Sequence, residues 1–217
     1  MMISKIKGVI FDLDGTIANT LPLCIAAFRK SVEPLAGKAL SDEEIVATFG
    51  PSEEGTIKAL VPQHYDKGVA DYLLHYEEMH GLCAGPFEGV VELIASLKER
   101  GVKVAMVTGK GKYSTDISLK QFDMLNDFEI IETGAPEGPR KVQGIEIVLN
   151  AWKELNKENI IYVGDAPSDI HASRTAGIPV VAAAWAETGE PEQLIPLQPD
   201  EIFYTIKDFS NWVGGKI

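Results

Sequence analysis

Asp12 and Asp14 close the run Gly8-Val9-Ile10-Phe11-Asp12-Leu13-Asp14-Gly15-Thr16, and their types and spacing imply chemistry more directly than any other residues in the chain. A short apolar run without a polar break reads as a strand buried on both faces, as in a parallel sheet. Residues i and i+2 of an extended strand point the same way, so both carboxylates leave the strand end on one side. Gly15 then permits a sharp turn. Two carboxylates side by side at a buried strand end repel each other and persist only beside a cation or a proton. Phosphoryl transfer through an aspartyl-phosphate uses such a pair. One carboxylate attacks phosphorus, a magnesium ion offsets the charge, and the other handles the leaving group's proton. A calcium loop also begins Asp-x-Asp, but it needs glycine at its sixth position and glutamate at its twelfth. Here glycine follows the second aspartate directly, and the twelfth position counted from Asp12 is Leu23. A plain turn with solvated acids is the bland alternative.

The elements that must position these acids are legible in outline. A mostly helical stretch follows the first strand. Ser41-Asp42-Glu43-Glu44 has the form of a capping box that opens a helix running through Phe49, and Gly50-Pro51-Ser52 breaks it. A further helix spans about Glu53 to Leu60. His64 to Met79 places Tyr65, Val69, Tyr72, Leu73 and Tyr76 on one helical stripe, the pattern of a helix core face. Near Gly85-Pro86 the pattern changes. An amphipathic helix through Val90 and Leu97 ends at Gly101, and Val102 to Val107 reads as a strand. A helix with Ile145, Val148 and Trp152 precedes a strand at Ile160 to Val163, and Ile178 to Ala182 reads as another. Alternating strands and helices imply a parallel sheet covered on both faces. The expected fold class is therefore α/β. It is a doubly wound, parallel-sheet (Rossmann-like) core domain, residues 1–16 and 85–217, with an inserted all-helical cap domain, residues 17–84.

Two more strand ends carry candidate groups. Thr108 and Gly109 follow Val107, and ligand sites in such sheets lie at the carboxyl ends of strands. A hydroxyl there, with glycine amides beside it, can donate to a phosphate oxygen, or it can cap the following helix. Gly164-Asp165-Ala166-Pro167-Ser168-Asp169 follows the strand at 160–163. Asp165 and Asp169 either join the acidic site or cap the next helix, and Asp169 is suited to both.

Asp12-Leu13-Asp14-Gly15-Thr16 resembles the first motif of the haloacid dehalogenase-like (HAD) phosphatases, Val107-Thr108-Gly109-Lys110 their second, and Val163-Gly164-Asp165 through Asp169 their fourth. The resemblance covers nearly the whole chain and points to the helical-cap subgroup, phosphoglycolate phosphatase-like. It implies that Asp12 is the nucleophile and Asp14 the general acid/base, whose backbone carbonyl helps to hold Mg2+. It also implies that Thr108 grips the substrate phosphate, that Asp165 binds the metal and that Asp169 supports it. The family's third motif, a lysine often followed by proline, is absent as such. The segment reads Gly134-Ala135-Pro136-Glu137-Gly138-Pro139-Arg140-Lys141, and Lys141 is the expected phosphate-site cation, ahead of Arg140 and Lys110. The expected metal set is thus Asp12, Asp14, Asp165 and Asp169. The expected substrate contacts are Thr108, Gly109 and Lys141, with Gly50 and Ser52 from the cap.

The function implied is a magnesium-dependent phosphatase acting on a small organic phosphate monoester. A phosphomutase of the β-phosphoglucomutase type and an inorganic pyrophosphatase share the scaffold. A dehalogenase would not need Asp14, because expelled halide takes no proton. A receiver domain or other phospho-accepting binding module is the non-enzyme alternative, but receivers place their acceptor after the third strand and carry no cap. The 217 residues, 45% hydrophobic, suffice for a large core. A formal charge of −12 argues against nucleic acid or an anionic membrane as partner, while a small phosphorylated metabolite stays compatible, since a metal and local cations reverse the sign in a pocket. Cys24 and Cys83 show neither metal spacing nor a disulfide framework, which suits a reducing cytoplasm. The N-terminal apolar run reaches Asp12 too soon for a signal peptide, and no apolar stretch approaches the roughly 20 residues that span a bilayer. Oligomeric state is not legible.

Overall fold

A computed structural model describes residues 3 and 5–217, and these form six strands and ten α-helices. Strand β1 (Gly8–Phe11) is followed by four helices, α1 (Leu21–Ala36), α2 (Asp42–Val46), α3 (Glu53–Leu60) and α4 (Tyr65–Glu78). The chain then alternates. Helix α5 (Val90–Glu99) leads to β2 (Lys103–Val107), α6 (Lys112–Gln121), β3 (Ile130–Glu132) and α7 (Lys141–Ala151). After these come β4 (Ile160–Gly164), α8 (Pro167–Ala176), β5 (Val180–Ala183), α9 (Pro191–Leu194), β6 (Glu201–Phe203) and α10 (Ile206–Gly214).

The strands make one parallel sheet in the order β3-β2-β1-β4-β5-β6. The α/β, Rossmann-like reading of the sequence is therefore correct. Strand β1 is central, with Phe11 opposite Met106 on one side and Val163 on the other. The period of two along the strands sorts the core into two layers. Val9, Phe11, Val104, Met106, Ile161 and Val163 face a layer that includes α5 and α10. Ile10, Ala105, Val107 and Tyr162 face Ile145 and Val148 of α7, Trp152 just after it and Ala172 of α8. The chain order reverses between β1 and β4, and the crevice outside the carboxyl ends of strands at such a switch point is where open α/β sheets bind ligands.

Among the described residues, no strand lies between β1 and α5. Helices α1 and α4 pack there through Phe28 and Tyr72, whose ring centroids are 4.5 Å apart. The capping box at Ser41 and Glu44 forms, but its helix ends at Val46 rather than running through Phe49. The Thr48 hydroxyl donates to the Ile45 carbonyl, and the Thr48 carbonyl accepts from the Thr56 hydroxyl at 3.1 Å. These side-chain bonds take the backbone out of helix two residues before Gly50, which has a positive φ of 148°. Strands β3 and β6 were not expected. Each is three residues long and lies at an edge of the sheet.

Candidate active site

The site grows from the end of β1. The Asp12 amide still donates to the Val163 carbonyl at 2.9 Å, so the residue is held in line with the sheet. Asp12 Oδ1 accepts from the Leu13 amide at 2.7 Å. Its Oδ2 accepts from Lys141 Nζ at 2.6 Å. Asp14 takes different partners. It accepts from the Thr20 hydroxyl and lies 3.3 Å from Lys110 Nζ. Gly15 turns the chain at φ 72°, and a Cβ there would run into the Asp165 carboxylate. The loop can approach β4 this closely only because residue 15 has no side chain.

Asp165 follows β4, and Asp169 sits in the first turn of α8 with no exposed surface. Asp169 Oδ2 accepts from the Ala166 amide at 2.9 Å, which fixes the loop between them. Asp169 Oδ1 accepts from Lys141 Nζ at 2.5 Å. Lys141 opens α7, and its ammonium lies between Asp12 and Asp169. Oxygens of Asp12, Asp165 and Asp169 all lie within 4.8 Å of one another.

Charge at this point is in excess. Burial raises the proton affinity of Asp12, and Lys141 opposes that rise. Asp14 is likewise raised by burial, with Lys110 opposing. Asp165 is raised well above the usual carboxylate range by burial and by neighbouring Asp169 and Asp12. Among the described residues it has no hydrogen-bond or ion-pair partner. A half-buried carboxylate without a partner, beside two others, is a hard-oxygen donor set of the kind a small divalent cation takes. Asp12, Asp165 and Asp169 therefore fit magnesium. Asp14 lies outside this cluster by its side chain, which faces Lys110 and Thr20.

Thr108 follows β2 and is buried. Its hydroxyl accepts from the Lys110 amide at 3.2 Å and helps to hold down the proton affinity of Asp12. The cap of α6 is Gly111 rather than Thr108. Gly109 lines a cavity of about 630 Å³ with Asp12, Asp14, Asp165 and Lys141. Gly50 reaches this cavity from the helical side. The buried Ser52 does not line it. The Ser52 amide donates to the Ala135 carbonyl at 3.0 Å and its hydroxyl donates to Glu54 at 2.5 Å, so it joins the helical stretch to the loop before α7. Arg140 pairs with Glu132 at 3.1 Å, clear of the acids.

Sequence reasoning missed Glu53. It lies in the first turn of α3, where acidic residues normally complement the helix dipole in water. Here it is buried, 3.1 Å from Lys110 Nζ. Lys110 was expected only as an alternative phosphate-site cation. It is instead enclosed by Asp14, Glu53, Cys24 Sγ at 3.1 Å and the Tyr76 ring at 4.6 Å. Burial pushes the Cys24 thiol up to about 12, so it stays protonated. Nothing in local sequence signals this cluster, because its members come from five separate segments, the loop after β1, α1, α3, α4 and the loop after β2.

Comparison with known proteins gives consistent matches. A family model described as haloacid dehalogenase-like hydrolase matches residues 9–183. A pyrophosphatase PpaX from Halalkalibacterium halodurans is 30% identical over 214 residues, covering 98% of this chain and 99% of that one. A second pyrophosphatase PpaX, from Bacillus pumilus, is 32% identical over 213 residues, covering 97% and 98%. Among solved structures, a haloacid dehalogenase-like family hydrolase from Streptococcus pneumoniae superposes with a TM-score of 0.75 at 25% identity, over 95% of this chain and 98% of that one.

Proposed function

This chain belongs to the haloacid dehalogenase-like hydrolases, and from that premise we propose that it is a magnesium-dependent phosphatase releasing phosphate from a small organic monoester through an aspartyl-phosphate on Asp12. The observation that carries the reading is the pairing of Asp12 with Lys141 inside an acidic cluster where Asp165 is left uncompensated. Asp12 attacks phosphorus and the bond to the leaving oxygen breaks. Asp14, whose proton affinity burial raises, gives its proton to that oxygen. It then takes a proton from the water that attacks the phosphoryl-enzyme and frees Asp12. Thr108, the Gly109 backbone and Lys141 hold the non-bridging oxygens. Magnesium, held by Asp12, Asp165 and the Asp14 carbonyl with Asp169 in support, would offset charge on the phosphoryl group. Residues 17–84 act as a cap that excludes water, and Gly50 contributes to the substrate end of the cavity. Ser52 serves by joining that cap to the loop before α7.

The cavity wall facing the acids supports an organic substrate. Leu21, Phe28, Val46, Phe49 and Pro51 give it carbon surface that a diphosphate would not use. A second reading, inorganic pyrophosphatase, is favoured by the names of the relatives. The test is phosphate release, with magnesium and with chelator, from phosphoglycolate, sugar phosphates, nucleotides and pyrophosphate. Asp12→Asn should lower kcat by about 10⁴-fold or more, as loss of a nucleophile does. Near-normal turnover in that variant would sink the mechanism. Isomerisation of a sugar phosphate without phosphate release would make the protein a mutase.

A further inference from the structure

The mechanism leaves two buried charged groups unused, Glu53 and Lys110, and the contacts of Glu53 cross the molecule. Glu53 belongs to the helical stretch before β2, yet its carboxylate rests on the N-terminus of α6, which follows β2. Glu53 Oε2 accepts from the Gly111 amide at 2.5 Å, and Oε1 accepts from the Ser114 hydroxyl at 2.6 Å. The Tyr72 hydroxyl donates to Oε1 at 3.4 Å. A helix N-terminus carries unpaired amides and partial positive charge, so a carboxylate that fills it is held firmly. These donors and Lys110 outweigh burial and keep the carboxyl below its usual range. A Cβ at Gly111 would meet Glu53 Oε2 at 2.7 Å, so a side chain there would push the carboxylate off this seat.

Lys110 ties this contact to the chemistry. Its ammonium lies 3.1 Å from Glu53 Oε1 and 3.3 Å from Asp14 Oδ1, with only 1% of its side chain exposed. Two carboxylates thus share one ammonium, and Asp14, which also accepts from the Thr20 hydroxyl, faces a charge that Glu53 helps to hold in place. We propose that Glu53, acting through Lys110, is a positioning residue for Asp14, so that Asp14 is set for proton transfer only when the helical stretch is seated on α6. The coupling rests on the assignment of Asp14 as acid and base in the phosphatase reading.

The test uses Glu53→Gln, which keeps the volume, and Ser114→Ala, which removes a donor to Glu53 without touching Lys110 or Asp14. In Glu53→Gln, amide exchange at Gly111 should quicken about tenfold or more. The same variant should lose about 10- to 100-fold in kcat with KM nearly constant, the pattern of a misplaced reacting group. Ser114→Ala should show a smaller loss of the same kind, and the double variant should be no slower than Glu53→Gln, since both act through one contact. Unchanged exchange at Gly111 would overturn the docking. Faster exchange with an unchanged kcat, or multiplying losses in the double variant, would overturn the coupling alone. Wild-type protein that releases phosphate from none of the substrates offered would overturn the phosphatase reading and the coupling with it.

Discussion

Among the described residues, Asp12, Asp14, Glu53, Asp165 and Asp169 crowd the ends of the central strands, with the ammonium groups of Lys110 and Lys141 set between them. The residual charge concentrates on Asp165, and its consequence for stability has a definite sign. The folded-state affinity of Asp165 for a proton lies well above the unfolded value near 3.8. The folded chain therefore binds more protons than the unfolded chain between those values, and stability rises as pH falls through the folded-state pKa. Metal-free protein should melt higher in mild acid than at pH 8. Asp165→Asn removes the charge, so it should raise the metal-free melting temperature at pH 8 by about 2–4 °C, the shift expected from about 1 kcal/mol in a chain of this size. Magnesium should stabilise the wild type by binding the native state and should barely move the variant. Melting curves with chelator and with magnesium would check both, and a wild type indifferent to pH and metal would refute the uncompensated charge. Lys141 has the opposite sign. Replacing it by methionine strands Asp12 and Asp169, and should cost about 3–5 kcal/mol in denaturant unfolding of metal-free protein.

Helix α7 carries Lys141 at its first position, so the packing of the helix sets the ammonium's place. The contact point is Gly144, where a Cβ would meet Val107 Cγ1 at 2.8 Å and the Glu132 Cβ at 3.1 Å. Gly144→Ala should lift the helix start from β2 and β3, costing about 1–3 kcal/mol as overpacking does. Lys141 is one turn away, so kcat should fall more than the modest loss of stability suggests, and activity at a temperature where the variant is fully folded would show it. If kcat there matched the wild type, α7 would not be what places Lys141. The same scale explains what the sequence could disclose. Strands β1, β2, β4 and β5 are runs of mostly apolar residues, so their composition alone places Asp12, Thr108 and Asp165 at strand ends. Strands β3 and β6 have only three residues each at the sheet edges, half exposed, and such strands leave no period to read. The expected cation Lys141 lies against Asp12 in space, but no local pattern around it distinguishes it from Arg140. Glu53 was illegible for a related reason. Its partners lie on α6, on the loop before it and on α4, and only tertiary packing turns a helix-start glutamate into the cap of a different helix.

At the scale of the whole molecule, a formal charge of −12 surrounds a cavity whose proposed substrate is an anion. Among the described residues no helix is long and apolar enough to cross a membrane. A field of that sign repels phosphate esters, while Lys110, Arg140 and Lys141, which line the cavity, attract them at short range. The two act over different ranges. Screening lengths are about 30 Å at 0.01 M salt and about 8 Å at 0.15 M, so added salt removes distant repulsion before it weakens contacts inside the cavity. Raising potassium chloride between those concentrations, with magnesium saturating, should raise kcat/KM for a doubly charged monoester a few-fold and leave kcat nearly constant. A fall in kcat/KM with salt would mean instead that local cations dominate the approach, and the net charge would then have no part in selecting the substrate.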